Sequence, residues 1–213
     1  MEKYIEETLK KLENNNMESF YAETRSEVVP LLKKLIKSGS SVGVGGSVTL
    51  SETGVLDMLR EGDYRFLDRF REGLTRDEVT DIFKESFRAD VYISSTNAVT
   101  EDGELYNVDG NANRISAIAF GPETVIIIAG INKIVKDIDA AVKRVKTIAA
   151  PKNCVRLGKN TYCGKTGQCV CPDGGMGKGC DSPDRICRHY LVTSKQASKD
   201  RIKVILVGEN LGY

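Results

Sequence analysis

Residues 124–129 read Thr-Val-Ile-Ile-Ile-Ala, a continuous run of apolar and mostly β-branched side chains that ends at Gly130. A strand with one face in water would alternate apolar and polar residues, so this run predicts a strand that is buried on both faces. Strands of this kind belong to parallel sheets that are covered by helices on each side. The run therefore predicts an α/β protein with a mainly parallel sheet.

The segments around this run alternate between strand and helix patterns. We predict further strands over residues 19–22, 41–44, 90–94, 104–108 and 201–207, and helices over residues 5–12, 28–36, 50–59, 79–87, 114–120 and 133–149. Two capping-box patterns, Thr24 with Glu27 and Thr75 with Glu78, mark helix starts. Pro151 is expected to end the last helix. This alternation predicts one layered domain over residues 1–213, with a cysteine-rich excursion at 151–190 before the final strand.

Composition and charge exclude several classes of protein. Hydrophobic residues make up 40% of the chain, which is enough for a packed core. The 31 Lys and Arg residues nearly balance 30 Asp and Glu, so we expect no nucleic-acid partner. The longest apolar stretch, residues 125–131, is far short of the ~20 residues of a membrane helix, and no membrane partner is expected. No secretory signal is visible, which predicts a cytoplasmic protein.

A glycine-rich segment follows the strand predicted at 41–44. Residues 43–54 read Gly-Val-Gly-Gly-Ser-Val-Thr-Leu-Ser-Glu-Thr-Gly. Backbone N–H groups in such a turn can approach an anion, and a helix start adds positive dipole, so we predict ligand contacts from Gly45, Gly46, Ser47 and Thr49. The alternative is a tight turn that needs glycine only for a positive φ.

A polar segment, residues 95–114, follows the strand predicted at 90–94. In open α/β sheets ligands bind at the carboxyl ends of strands, so this segment is a second candidate site. The predicted ligand-binding residues are Asn97, Asp109, Asn111, Asn113 and Arg114, with Lys133 as a further cation. Glu52 and Asp109 are the candidate catalytic carboxylates. The alternative is a plain hairpin, whose turns are Glu101-Asp102-Gly103 and Asp109-Gly110.

All six cysteines lie between residues 154 and 187. No Cys-x-x-Cys pair is present, so the spacing alone names no metal. Several thiolates in a chain without a visible export signal favour zinc or an iron–sulfur cluster. Buried reduced thiols and disulfides are the alternatives. His189, the one histidine, is expected to be a surface or strand residue rather than a ligand.

Four stretches resemble the lactate-utilisation (LUD) domain family, which includes lactate-utilisation protein C. These are residues 45–54, residues 95–114, Gly-Ile-Asn-Lys-Ile-Val at 130–135 and Ser-Pro-Asp-Arg-Ile-Cys at 182–187. The resemblance implies a three-layer α/β/α sandwich, similar to sugar-phosphate isomerases and CoA-transferases. It also implies a link to lactate oxidation in bacteria, with other lactate-utilisation proteins as partners. Short members of the family share a frame that places metal ligands at Cys163, Cys169, Cys180 and Cys187. An insert that carries Cys171 interrupts this frame, and Cys171 is a further candidate ligand that could replace Cys180, join it, or be a bystander.

Two functions are consistent with these patterns. In the first, the protein binds a small anionic metabolite, linked to lactate or related carboxylates, in a cleft at the strand ends, and the sequence leaves open whether it is an enzyme. In the second, it is a metal- or iron–sulfur-binding redox or accessory protein that acts through its cysteines. We expect Gly46 and Asp109 to share one cleft, because each follows a strand of the same predicted fold.

Overall fold

A computed structural model describes residues 1–213 as ten strands and nine α-helices. The strands are β1 (Glu18–Ala22), β2 (Ser41–Val44), β3 (Arg65–Phe66), β4 (Val91–Ser94), β5 (Ala98–Thr100), β6 (Leu105–Asp109), β7 (Thr124–Gly130), β8 (Ile134–Val135), β9 (His189–Thr193) and β10 (Ile202–Val207). The helices are α1 (Lys3–Asn14), α2 (Val28–Leu35), α3 (Val48–Glu52), α4 (Val55–Glu61), α5 (Arg76–Ser86), α6 (Asn113–Ala119), α7 (Ile138–Arg144), α8 (Ala150–Arg156) and α9 (Tyr162–Thr166).

The main sheet has six strands in the order β1-β10-β7-β4-β2-β3, and every pair in it is parallel. All carboxyl ends therefore meet at one edge. From β2 the chain moves outward to β3 and then returns past β2 to β4, β7 and β10. The direction of progress thus reverses between β2 and β4, and this is where an open α/β sheet forms a ligand crevice.

Both faces of the main sheet are covered. Ile126 and Ile128 of β7 face a cluster that α2 and α4 contribute to. Val125 and Ile127 face the opposite cluster, which contains side chains from α1, α6 and the second sheet. All four side chains are 0% exposed. The predicted two-sided burial of this strand is confirmed, and so is the α/β fold class with a mainly parallel sheet.

A second sheet, in the order β8-β5-β6-β9, lies on one face of the main sheet. Strand β5 pairs antiparallel with β6, as the hairpin interpretation of the polar segment predicts. Strand β9, which follows the cysteine-rich segment, pairs with β6 from the other side. The pairing of Asp109 with His189 brings the end of the cysteine-rich segment to the end of β6. This long-range contact builds one wall of the site described below.

The predicted helix over residues 133–149 is wrong at both ends. Residues 131–135 form a 3₁₀ turn and the short strand β8, and α7 begins only after Asp137, whose carboxylate accepts a hydrogen bond from the Ala140 N–H at 2.8 Å. At the other end, Pro151 does not end the helical stretch. A π-helical turn over Val145–Ala149 leads directly into α8, where Pro151 lies in the first turn. Proline has no N–H to donate, and in this continuous helical stretch it follows the π-helical turn, where the hydrogen-bond pattern changes.

The two predicted capping boxes differ in outcome. Thr75 and Glu78 form a complete capping box at the start of α5. Thr24 makes no capping hydrogen bond, because a 3₁₀ turn over Arg25–Glu27 intervenes and the Glu27 carboxylate accepts from the Glu23 N–H instead. No helix of the protein is both long enough and apolar enough to cross a membrane.

Candidate functional site

A cleft of about 530 Å³ lies at the carboxyl edge of the main sheet. Five neighbouring strands each contribute to its lining through the residues that follow them: Arg69 after β3, Gly46 and Ser47 after β2, Ser95 to Asn97 after β4, Lys133 after β7, and Tyr213 after β10. Asp109 and Gly110, at the end of β6, lie in the same cleft as Gly46. The structure thus brings together the two segments that the sequence analysis placed side by side. The volume is typical of small-molecule sites.

The lining of the cleft is strongly cationic. Seven lining residues carry basic side chains: Arg69, Arg114, Lys133, Arg156, Lys159, Arg185 and Arg188. Only Asp109 and Asp184 are acidic. The chain as a whole has a net charge of +1, so the positive charge is concentrated here rather than spread over the surface. A concave site of one sign raises the local concentration of ligands of the opposite sign, and this one suits an anion.

The glycine-rich turn is required for close packing and not for a positive φ. None of Gly43, Gly45 and Gly46 has a positive φ. A Cβ atom on Gly45 would lie 2.5 Å from Ser94 Oγ, while one on Gly46 would lie 3.4 Å from an Arg69 guanidinium nitrogen. Gly45 itself is buried outside the cleft lining. Helix α3 has five residues, too short to carry an anion site on its dipole, so the lining depends on side chains.

Arg114 lies on the floor of the cleft with a side chain that is 12% exposed. All five of its side-chain N–H donors bond within the protein. Nε donates to Asp109 Oδ1 (2.9 Å), Nη1 to the Ser95 carbonyl (3.0 Å) and Asn107 Oδ1 (3.0 Å), and Nη2 to Asn97 Oδ1 (2.9 Å) and the Val108 carbonyl (2.9 Å). A guanidinium with no free donor cannot also form a bidentate pair with a ligand. The geometry therefore makes Arg114 a residue that fixes the shape of the floor.

Asp109 shares this role. Its Oδ2 accepts from the backbone N–H groups of Arg114 and Ile115 (3.0 Å each), which begin α6, and its Oδ1 binds the Arg114 side chain. The residue in the capping position, Ala112, has no side chain that could do this and adopts a φ of 62°. Both carboxylate oxygens of Asp109 are thus engaged in holding α6 and Arg114. The geometry favours a positioning function over acid–base chemistry.

Lys133 lines the cleft and is 2% exposed. Its Nζ donates to Thr49 Oγ1 at 2.9 Å and to Ser95 Oγ at 2.8 Å, and no carboxylate contacts it. Burial, and after it the charges of Arg144 and Arg114, lower the pKa of Lys133 to about 7, while Glu52 opposes this shift. Lys133 is therefore a cation only below neutral pH. Above it, Lys133 is a buried neutral amine.

Arg69 is a lining residue that the sequence analysis missed. Its guanidinium carbon lies 4.5 Å from the ring centroid of Phe83 and 5.0 Å from that of Phe70. It forms no hydrogen bond or ion pair with the protein, and its Nε is buried without a partner. Burial lowers the pKa of this guanidinium. A stacked, unpaired guanidinium beside Gly46 is a group held ready for an external anion.

The remaining predicted residues divide between the lining and its surroundings. Asn97, Asn111 and Asn113 line the cleft, as do Ser47 and Thr49. Glu52, a candidate catalytic carboxylate, lies outside the lining, and its Oε2 accepts from the Gly212 N–H at 2.7 Å. The segment that contains Gly212 passes over Lys133, so Glu52 helps to hold that cover in place.

The cysteine-rich segment forms one wall of the cleft. Pro183 to Arg188 line the cleft. Cys163, Cys169, Cys180 and Cys187 line a separate, mostly apolar cavity of about 30 Å³ behind this wall, and Cys187 borders both spaces. Cys171 is outside this cavity, all six thiols are free, and His189 is exposed at the start of β9. No three His, Cys, Asp or Glu side chains are close enough together to hold a metal ion.

The parallel sheet, with a cationic cleft at its switch point, defines an open α/β protein. The chain belongs to the LUD domain family, whose sequence model matches residues 5–207. A DUF162 family protein from Deinococcus radiodurans has a similar fold, with a TM-score of 0.51 and 14% identity over 96% of each chain.

Two further solved structures have lower similarity. A ribose 5-phosphate isomerase A from Methanocaldococcus jannaschii matches 83% of this chain and 80% of its own at 15% identity and a TM-score of 0.37. An eIF2B delta from Chaetomium thermophilum matches 63% of this chain and 53% of its own at 14% identity and a TM-score of 0.35. Comparison with curated proteins gives no match.

Replacing Arg114 by Lys should destabilise the fold. The lysine keeps the charge but can supply at most three of the five donor bonds, leaving buried acceptors unpaired. We expect the free energy of unfolding in urea to fall by about 2–4 kcal/mol. Arg60→Lys is the control, because Arg60 is an exposed partner of Asp68 and its loss should change stability by less than about 1 kcal/mol. Equal effects of the two changes would contradict the structural role of Arg114.

Lys133 should titrate near pH 7, far below the ordinary lysine value of 10.5. The ¹³Cε chemical shift of Lys133, assigned by its loss in Lys133→Met, gives the midpoint directly. Because the unfolded chain binds more protons than the folded one between pH 7 and 10.5, this residue adds stability as the pH rises through that range. A midpoint near the ordinary lysine value would show that the buried amine stays charged.

Proposed function

We propose that the protein binds a small anionic metabolite, a carboxylate or phosphate compound, in the cleft at the carboxyl edge of its main sheet. The observation that carries the proposal is Arg69, whose stacked guanidinium has no partner within the protein. Leaving a buried donor of a charged group unpaired costs folding free energy, and an anionic ligand removes that cost. The surplus of basic side chains around the cleft supports the same conclusion.

The basic residues of the cleft divide into those that the protein uses and those left for a ligand. Arg114 and Arg185 are bonded to protein acceptors through every N–H-bearing nitrogen. Arg69 is unpaired, and Lys159 makes no side-chain hydrogen bond. The ligand's anionic group would therefore bind at the Arg69 side of the cleft, near Gly46 and Ser47.

Membership of the LUD domain family supports a role in the use of lactate or related carboxylates. In this proposal the protein works in the cytoplasm with other lactate-utilisation proteins. The metabolite would be a carboxylate, a phosphorylated relative, or a compound that carries both groups. The dimensions of the cleft allow a ligand larger than a three-carbon acid.

Replacing Arg69 by Met should weaken anion binding without weakening the fold. Isothermal titration calorimetry with lactate, pyruvate and 3-phosphoglycerate, and with lactamide as the neutral analogue, would identify a bound anion. Loss of the charged hydrogen bonds should reduce its affinity roughly 10- to 100-fold. Urea unfolding should show equal or greater stability, because an unpaired buried charge has been removed.

Arg71→Met is the matched control, since Arg71 is an exposed arginine two residues away and outside the cleft lining. It should leave the affinity unchanged. The proposal fails if no anion binds the parent protein, or if Arg69→Met binds the same anion as tightly as the parent does.

As a second candidate function, we propose that Cys163, Cys169, Cys180 and Cys187 bind zinc or an iron–sulfur cluster. The favouring observation is that four of the six thiols line one small cavity, although they lie scattered between residues 163 and 187 of the chain. The donor type suits these metals, but the thiols are not at ligation distance from one another, so binding requires the segment to close around the ion. A bound ion would stabilise a segment that has few apolar side chains.

Elemental analysis of protein purified without oxygen tests this second proposal. We expect zinc or iron in the parent protein, and its loss in Cys163→Ser together with faster proteolysis between residues 151 and 188. Cys171→Ser is the control that should keep the metal, because Cys171 lies outside the cavity. A parent protein without zinc or iron, whose segment resists protease equally well in both variants, would refute metal binding.

A further inference from the structure

Lys133 differs from the other basic residues of the cleft in how its hydrogen bonds are directed. Its Nζ lies within hydrogen-bond distance of two hydroxyls, Thr49 Oγ1 and Ser95 Oγ. Each hydroxyl has another acceptor for its own proton, the Leu211 carbonyl at 3.5 Å for Thr49 and the Thr96 carbonyl at 3.4 Å for Ser95. Both hydroxyl oxygens therefore accept from Nζ, and Nζ is the donor in both bonds.

Two donated bonds match a neutral amine. A neutral amine has two N–H bonds and one lone pair, whereas an ammonium group would have a third N–H without a protein acceptor here. The lone pair of the neutral amine is then free of any hydrogen bond. Lys133 is among the residues that line the cleft, so its amine borders the space that a ligand would occupy.

We propose that Lys133 is a nucleophile that forms an imine with the carbonyl group of an anionic substrate. This inference rests on the proposed function, because it requires the anion site at Arg69 to hold the substrate. The substrate class is an aldehyde or ketone that also carries a carboxylate or a phosphate. The lowered pKa of Lys133 supports the proposal, since an amine must be neutral to attack a carbonyl carbon.

The two ends of such a substrate have matching partners in the cleft. Arg69 approaches Gly46, and Lys133 bonds to Thr49, three residues further along the chain. Three residues span at most about 11 Å, so both groups lie at the two ends of one short segment. A substrate that spans this segment with its anionic group at Arg69 would place a carbonyl carbon near Lys133 Nζ.

The step balances without a further reactant. The lone pair of Nζ forms a bond to the carbonyl carbon while the π electrons of the C=O bond move to oxygen, which gives a carbinolamine. Loss of both hydrogens from nitrogen together with that oxygen, as water, leaves a C=N bond to Lys133. The hydroxyls of Thr49 and Ser95 already accept from the two N–H bonds that break, so they can relay these protons.

Trapping with borohydride tests the proposal, because hydride addition converts the imine into a stable secondary amine. The full-length protein is incubated with pyruvate or with dihydroxyacetone phosphate, reduced, digested and mapped by mass spectrometry. We expect an adduct on Lys133, roughly tenfold or more above that with acetone, which has a carbonyl but no anionic group. Pyruvate labelling would indicate a carboxylate substrate, and labelling by dihydroxyacetone phosphate would indicate a phosphate substrate.

Two comparisons complete the experiment. Lys133→Met should form no adduct, whereas Lys146→Met should form as much as the parent, because Lys146 is a buried lysine outside the cleft. With a pKa near 7, the neutral fraction of Lys133 rises about tenfold between pH 6 and pH 8, and the initial labelling rate should follow it.

The outcomes separate this inference from the proposed function. If calorimetry shows that pyruvate or dihydroxyacetone phosphate binds but no adduct forms on Lys133, the imine proposal is overturned and anion binding stands. If none of the anions tested by calorimetry binds and no adduct forms, both fail. Adducts only on exposed lysines also overturn the proposal. Peptide mapping of the parent protein distinguishes these outcomes even if Lys133→Met does not fold.

Discussion

The saturation of the Arg114 guanidinium by protein acceptors fixes the floor of the cleft. Its five bonds join the loop after β4, the end of β6 and the start of α6. They therefore tie the main sheet to the second sheet at the point where the cleft opens. The arrangement has a cost, because Asn107 turns its amide oxygen to Arg114 and leaves its buried Nδ2 without a partner. The charged bonds outweigh this loss, since a buried guanidinium without acceptors would cost more.

Buried positive charge is managed in three different ways in this protein. Arg114 is paired with Asp109 and with carbonyl and amide oxygens. Lys133 gives up its proton near neutral pH, which removes the charge from a place with no carboxylate. Arg69 does neither, because a guanidinium keeps its proton and no acceptor is within its reach. Only the third arrangement leaves a fixed, buried charge without a protein partner, which is why the proposed anion site is at Arg69 and not at Arg114.

What could be predicted from the sequence depended on whether the signal was local. Strand β7 was predictable because burial on both faces leaves an unbroken apolar run. Gly46, Asn97 and Asp109 were predictable because polar or glycine residues directly follow strands. Arg69 was not, since β3 has only two residues and shows no periodicity. The wall at Pro183–Arg188 could not be predicted either. It is placed by the pairing of β9 with β6, which is a contact between distant parts of the chain.

That wall connects the two candidate functions. Arg185 is held by the carbonyls of Gly177, Cys180 and Cys187, so order in the cysteine-rich segment determines where the wall lies. Gly110, which directly follows β6, packs closely against Ile186, since a Cβ atom added to Gly110 would lie 3.4 Å from the Ile186 Cα. The position of the wall is therefore coupled to the end of β6. If the proposed anion contacts the wall as well as Arg69, its binding is linked to the proposed closure of the thiols on a metal ion. Each ligand would then raise the affinity for the other by the same factor.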